Sequence, residues 1–203
     1  MAQLNQLNVQ KFLGDDATEV NLKMAQNPSI LHIATHGFFM PEVSAPSGDN
    51  ERARAGFANF TYEDLKNPLR RSGLLFSYCK HAFGNDQLNL PEDGILTSEE
   101  AQNLHLDKTE MVVLSACETG LGEVKNGEGV YGLQRAFQTA GAQSVLMSLW
   151  TVSDQATQEL MTEFYSEWFK LKDKRQAFRQ AQLYVMKKYA DPFYWGAFVM
   201  VGN

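Results

Sequence analysis

Three short, mainly apolar runs stand out along the chain: 30–35, 111–116 and 144–150. Each is bounded by turn-forming residues, the pattern of a strand covered on both faces and therefore of a parallel sheet. Ser72–Ser77 and Trp195–Val201 predict a further strand and a closing strand. Between these runs the apolar period changes from continuous to helical. Asp16 and Glu19 stand at capping-box spacing ahead of Ala17, Val20 and Met24, which predicts a short helix stopped by Asn27-Pro28-Ser29. A second short helix is expected to open at Thr97 or Ser98. Val130, Leu133, Phe137 and Ala140 mark one face of a longer helix, with Gly141 as its stop. Ser153 is placed to cap an amphipathic helix showing Leu160, Met161, Phe164, Trp168 and Leu171. A last helix turns Ala177, Ala181, Tyr184 and Val185 inward and breaks at Asp191-Pro192.

Alternating strands and helices predict an α/β fold, a sheet with helices on both faces. Residues 1–12 carry little pattern, and residues 40–60, rich in Pro, Gly and polar side chains, read as a long loop. Gln87–Ile95 is a second irregular stretch, and no internal repeat is visible. At 203 residues the chain suits a single domain, 1–203. Its 44% hydrophobic and 21% charged composition is that of an ordinary globular protein. A net charge of −6 argues against nucleic acid and anionic membrane as partners, since both require clustered Lys and Arg. No run approaches the ~18 apolar residues of a membrane span, and the polar start is unlike a signal peptide. Two cysteines in dissimilar settings make no disulfide framework, so a cytoplasmic location is the expectation.

Chemistry enters at two strand ends. The first run leads into His36-Gly37 and the second into Cys117, 81 positions later. In parallel sheets ligands gather outside the carboxyl ends of the strands. An imidazole there can take the proton of a thiol, whose thiolate is the nucleophile, and later return one to a leaving amine. The main-chain N–H groups of Gly37 and Cys117 are the natural donors to a developing oxyanion. Either residue taken alone reads more readily as structural; their equivalent placement is what favours a dyad.

The two motifs, Leu31-His32-Ile33-Ala34-Thr35-His36-Gly37-Phe38-Phe39 and Val112-Val113-Leu114-Ser115-Ala116-Cys117-Glu118-Thr119-Gly120, resemble those of the CHAT domains, caspase- and separase-like cysteine peptidases. The likeness continues through Gly127–Val130, Ala136-Phe137, Ala140–Ala142, Ser148–Val152 and Tyr194–Phe198, and spans about residues 14 to 203. It implies a caspase-like three-layer sandwich with a mostly parallel sheet. It also implies His36 as general base, Cys117 as nucleophile, and Gly37 and Cys117 as oxyanion donors. The activity implied is that of a cysteine endopeptidase acting on a protein substrate without a metal or cofactor. Trp150-Thr151-Val152-Ser153-Asp154 resembles the separase setting in which an acidic residue holds the basic residue preceding the cut bond. Asp154 is equally a dipole partner for the helix that Ser153 opens.

CHAT domains usually carry further strands ahead of the segment that begins here at about Leu13, so the N-terminal strands are expected to be missing from this chain. An upstream helical-repeat module or partner is the expected regulator. The rival expectation is a catalytically silent scaffold or inactive fragment of the same fold. Other signals are weaker. Gly120–Lys125 is glycine-rich but acidic, without a phosphate-loop lysine or a third glycine at dinucleotide spacing. Cys79 and His81 are too few for zinc. His32 is expected to face the helices that pack on the sheet, and His105 to sit in a polar turn.

Overall fold

The computed structural model describes residues 8–40, 60–83, 92–115, 128–151 and 153–203. Residues 1–7, residues 41–59 of the expected loop 40–60, the stretch 84–91, the segment 116–127 and Val152 lie outside the described residues. In chain order the elements are α1 (Glu19–Lys23), β1 (Ile30–Ile33), β2 (His36–Phe39), α2 (Tyr62–Lys66), β3 (Ser72–Leu75) and α3 (Lys80–Phe83). They continue with β4 (Ile95–Thr97), α4 (Ser98–Ala101), β5 (Met111–Leu114), α5 (Glu128–Thr139) and β6 (Ser144–Ser148). The last are α6 (Asp154–Leu171), α7 (Lys174–Lys188), α8 (Pro192–Trp195) and β7 (Phe198–Gly202).

The main sheet has the order β1-β5-β6-β7, with the first three strands parallel and β7 antiparallel to β6. Period-two alternation sorts β5 between two cores. Val112 and Leu114 join Leu133, Ala136 and Phe137 of α5 on one face. Met111 and Val113 join Leu160, Phe164 and Trp168 of α6 and Ala177, Ala181 and Val185 of α7 on the other. This is the α/β arrangement with helices on both faces, a mostly parallel sheet between two helical layers. Each large apolar side chain so enclosed contributes about 1.5–3 kcal/mol of burial.

A second sheet, β2-β3-β4, is antiparallel throughout and was not foreseen as separate. The strand beginning at Ile30 ends at Ile33, and His36-Gly37 opens β2 instead of a turn. Leu74 and Leu96 of this sheet share the α5-side core with Ile33 and Leu114, so α5 covers both sheets. Gly73 is required by close approach: a Cβ there would lie 2.4 Å from the Leu96 carbonyl oxygen and 2.7 Å from the Phe38 ring. Gly141 closes α5 with φ 109°, a conformation side-chain-bearing residues rarely adopt.

Some local expectations hold and others are corrected. The cap of α1 is Thr18, whose hydroxyl accepts from the Asn21 N–H; Asp16 lies in a preceding 3-10 turn. Thr97 caps α4 in a complete capping box with Glu100. Leu171 and Tyr184 are exposed, because each falls off the apolar face of its helix at the outer side of the α6–α7 pair. Asp191-Pro192 ends α7 as expected, but Asp191 then caps α8, which delays β7 to Phe198.

One ionic cluster fastens α1 to the second sheet. Lys23 Nζ lies 2.7 Å from Glu19, 2.9 Å from Glu92 and 3.1 Å from Glu100. Glu19 is 1% exposed, and its other oxygen accepts from the Gly94 N–H ahead of β4. Burial pushes the Glu19 carboxyl above its ordinary value despite the neighbouring ammonium.

Lys23→Met strands a buried carboxylate without its cation and is expected to cost about 3 kcal/mol in chemical denaturation, with part recovered in the Glu19→Gln double variant. Because the folded pKa of Glu19 lies above the unfolded one, this site favours folding below the carboxylate range and loses that contribution as pH rises through the folded value. The single variant's deficit should therefore narrow on acidification, which denaturation at several pH values reads directly. Gly73→Ala is expected to lower stability by about 1–3 kcal/mol, since the nearest clash is with backbone that cannot rotate away.

Candidate functional site

The parallel ladder between β1 and β5 pairs Ile30 with Met111, Leu31 with Val112, His32 with Val113 and Ile33 with Leu114. Every pair is separated by 81 positions, the same separation as His36 and Cys117. The register extends by one more main-chain bond, from the Ser115 N–H to the Ile33 carbonyl at 3.0 Å. His36 thus stands three residues beyond the last paired residue of β1, and Cys117 three beyond that of β5. Cys117 itself lies outside the described residues.

His36 is exposed and is the first residue of β2, opposite Leu75. Two residues, Ala34 and Thr35, carry the chain from one sheet to the other, and the Thr35 hydroxyl donates to the Leu75 carbonyl. Gly37 is buried and faces Leu74. Its N–H orientation follows from the antiparallel pattern, in which opposed pairs alternate between bonded and non-bonded. The Met40 N–H donates to the Arg71 carbonyl at 2.6 Å, and the Phe76 N–H to the Gly94 carbonyl at 2.7 Å. Counting by twos from these, His36–Leu75 and Leu74–Leu96 are bonded pairs, while Gly37–Leu74 is not. The Gly37 N–H therefore points away from β3, toward the outer edge of its strand.

Asp154 begins α6 six residues after the end of β6 and is exposed. Ser153 caps the helix, its hydroxyl accepting from the Ala156 N–H at 3.2 Å. The Trp150 indole N–H donates to the Phe193 carbonyl at 3.0 Å and tethers the segment ahead of this cap. Because β1, β5 and β6 run parallel, the segments carrying His36, Ser115 and Asp154 all leave the same rim of the sheet. The helix-start role of Asp154 is seen directly.

Sequence reasoning gave no functional role to the residues just below that rim. His32 Nε2 and Ser115 Oγ are hydrogen-bonded at 3.0 Å, and His32 Nδ1 and the Tyr165 hydroxyl at 3.0 Å. The ring keeps one side open to solvent, while the protein around its other side pushes the imidazole pKa down. Burial likewise pushes the Tyr165 phenol above its ordinary value, so it remains a hydroxyl at neutral pH. The readable signal was strand parity: His32 and Ile30 share the face toward α6, where His32 was expected to meet the helices.

The carboxylates of Glu19, Glu92 and Glu100 come within 4.8 Å of one another, the spacing of a cation site. Lys23 fills it with an ammonium at 2.7, 2.9 and 3.1 Å from the three, so the protein supplies the cation itself. Cys79 is half-buried, and desolvation raises its thiol pKa, which makes it a poor nucleophile. Among the described residues no helix is long and apolar enough to cross a membrane.

Tetratricopeptide repeat protein 28 of Homo sapiens is 32% identical to the chain over 111 residues, covering 54% of the chain and 4% of that protein. The Mus musculus protein of the same name matches to the same extent. The chain thus corresponds to a small part of the length of these curated relatives. The family model described as "CHAT domain" matches residues 1–203, and the chain belongs to the CHAT domain family.

Proposed function

We propose that the chain is a cysteine endopeptidase domain in which His36 is the general base and Cys117 the nucleophile. The observation that carries this reading is the β1–β5 register. The constant offset of 81 between paired residues of β1 and β5 equals the sequence separation of His36 and Cys117, which supports their meeting at one rim. The imidazole takes the thiol proton, and the thiolate sulfur attacks the peptide carbonyl. The outward N–H of Gly37, with that of Cys117, stabilises the oxyanion. The protonated imidazole then gives its proton to the leaving amine, and water hydrolyses the thioester with His36 again as base. The sequence needs no metal for any of these steps, and family membership supports the assignment of peptidase chemistry.

Asp154 is proposed as the acceptor for a basic side chain preceding the scissile bond. Its exposure and its place on the shared rim support that role beside its service to the α6 N-terminus. The curated relatives are named for tetratricopeptide repeats. A helical-repeat module as the regulatory partner, in the same chain or another, is consistent with that, and the cytoplasm is the proposed location.

An acyloxymethyl ketone probe is expected to label the wild-type chain at Cys117, with labelling abolished in Cys117→Ala. In His36→Ala the labelling rate should fall by roughly 100-fold or more, the usual worth of a positioned base. Labelling that ignores His36 would favour the silent scaffold. A second comparison isolates Asp154. Asp154→Asn should change stability by no more than about 1 kcal/mol, the scale of a helix-dipole contact. It should nevertheless cut the preference for an Arg-bearing probe over a Leu-bearing one about tenfold, the worth of one lost charge-assisted contact. An unchanged preference would confine Asp154 to the helix start.

A further inference from the structure

Three features outside the proposed dyad were the strongest chemically: the Lys23-centred carboxylates, the α6–α7 surface around Tyr184, and the hydroxyl–imidazole–hydroxyl chain Tyr165–His32–Ser115. The first is closed by its own lysine, and nothing shows what would cover the second. The third joins three elements at the base of the candidate site.

We propose that His32 is a positioning residue which, through Ser115 on one side and Tyr165 on the other, fixes the separation of the two strand ends that carry His36 and Cys117. This rests on the peptidase reading given above. His32 lies on β1 four residues before His36, and Ser115 lies two residues before Cys117. Ser115 is held twice to β1, by its N–H on the Ile33 carbonyl and by its hydroxyl on His32 Nε2, both at 3.0 Å. The far ring nitrogen is held by Tyr165 of α6 at 3.0 Å, and the two rings lie 5.8 Å apart between centroids. The imidazole therefore cannot swing away from Ser115 without giving up a second partner.

The chemistry of the three groups makes the link tolerant and directional at once. A neutral imidazole offers one N–H and one lone pair, and a hydroxyl can complement either. Both ring tautomers are satisfied, so the link persists whichever nitrogen holds the proton. Packing fixes His32 against α6, and the hydrogen bond to Ser115 adds a side-chain link from that position to the β5 end, beside the main-chain bond on Ile33. The β1–β5 ladder ends at this point, and beyond Ser115 no further pairing between the two arms is seen among the described residues. Among the described residues, the side-chain bond and the Ser115 N–H bond are the cross-links nearest the two strand ends.

The test reads the thiol directly and needs no natural substrate. In a Cys79→Ser background, the rate of Cys117 alkylation by iodoacetamide is measured from acid to alkaline pH, with mass mapping of the modified peptide. Wild type is expected to show a thiolate population below the ordinary thiol range of about 8.5, abolished by His36→Ala. His32→Phe, which keeps a ring but no hydrogen bond, and Ser115→Ala should each slow alkylation at neutral pH about tenfold or more, a misplacement effect. Their double variant should be no worse than the worse single, because both break one link.

His32→Gln places an amide where Nε2 stood and should restore the rate to within about threefold of wild type, whereas His32→Asn, which reaches only toward Tyr165, should not. That contrast separates positioning from general stability, and it stays readable if His32→Phe fails to fold. Should His36→Ala abolish the shifted thiolate while the His32 and Ser115 variants leave it intact, the positioning role is overturned and the dyad stands. Should His36→Ala also leave the profile unchanged, the peptidase reading falls, and this role falls with it.

Discussion

The parallel pairing of β1 with β5 is the constraint on which the candidate site depends. Strands that alternate between two cores are fixed in register by burial, because a slip of one residue would move every side chain to the opposite face. Here a one-residue slip of β1 would turn Ile33 out of the α5-side core and bring His32 into it, away from its partners Ser115 and Tyr165. The hydrophobic cores therefore do more than stabilise the sheet. They set the offset of 81 between β1 and β5, the same separation that divides His36 from Cys117 in sequence.

The strands most fully buried were the easiest to read from sequence. Runs such as Met111–Leu114 and Ser144–Ser148 have no polar face, and a continuous apolar run of that length has few alternatives inside a globular chain. The helices on the sheet were legible for the complementary reason, since a single apolar stripe at helical spacing marks α5, α6 and α7. Ser153 and Thr97 were legible as caps because each hydroxyl precedes an otherwise helical pattern. Thr18 was hidden by the better-known spacing of Asp16 and Glu19, which a 3-10 turn at Gly14–Asp16 makes irrelevant.

The division into two sheets was illegible because its cause is not local. Within residues 30–39 the break at Thr35-His36-Gly37 reads as a turn, and nothing in that stretch shows that the chain passes there from pairing with β5 to pairing with β3. The decision is made by partners distant in sequence: Leu114 at one end and Leu75 at the other. The site residues show the same split. His36, Gly37 and Asp154 were named from motifs, whereas His32, Ser115 and Tyr165 become a unit only through contacts spanning 83 and 133 positions.

His36 consequently belongs to two structures at once. Its approach is set by β1 of the parallel sheet, and its own backbone is the first paired residue of the antiparallel one. The Thr35 hydroxyl on the Leu75 carbonyl fastens the crossing between them. Gly37 inherits its outward N–H from the second sheet, through the pairing parity that Leu74 satisfies on β4 instead. The residues assigned as base and as oxyanion donor are thus oriented by the antiparallel sheet, while the β5 end that leads to Cys117 is oriented by the parallel one. What holds the two sheets in a common frame is α5, whose Leu133, Ala136 and Phe137 share one core with Leu74 and Leu96 from one sheet and Val112 and Leu114 from the other. The placement of His36 relative to the β5 end therefore depends on how that helix packs, and substitutions on its buried face act on the site without touching it.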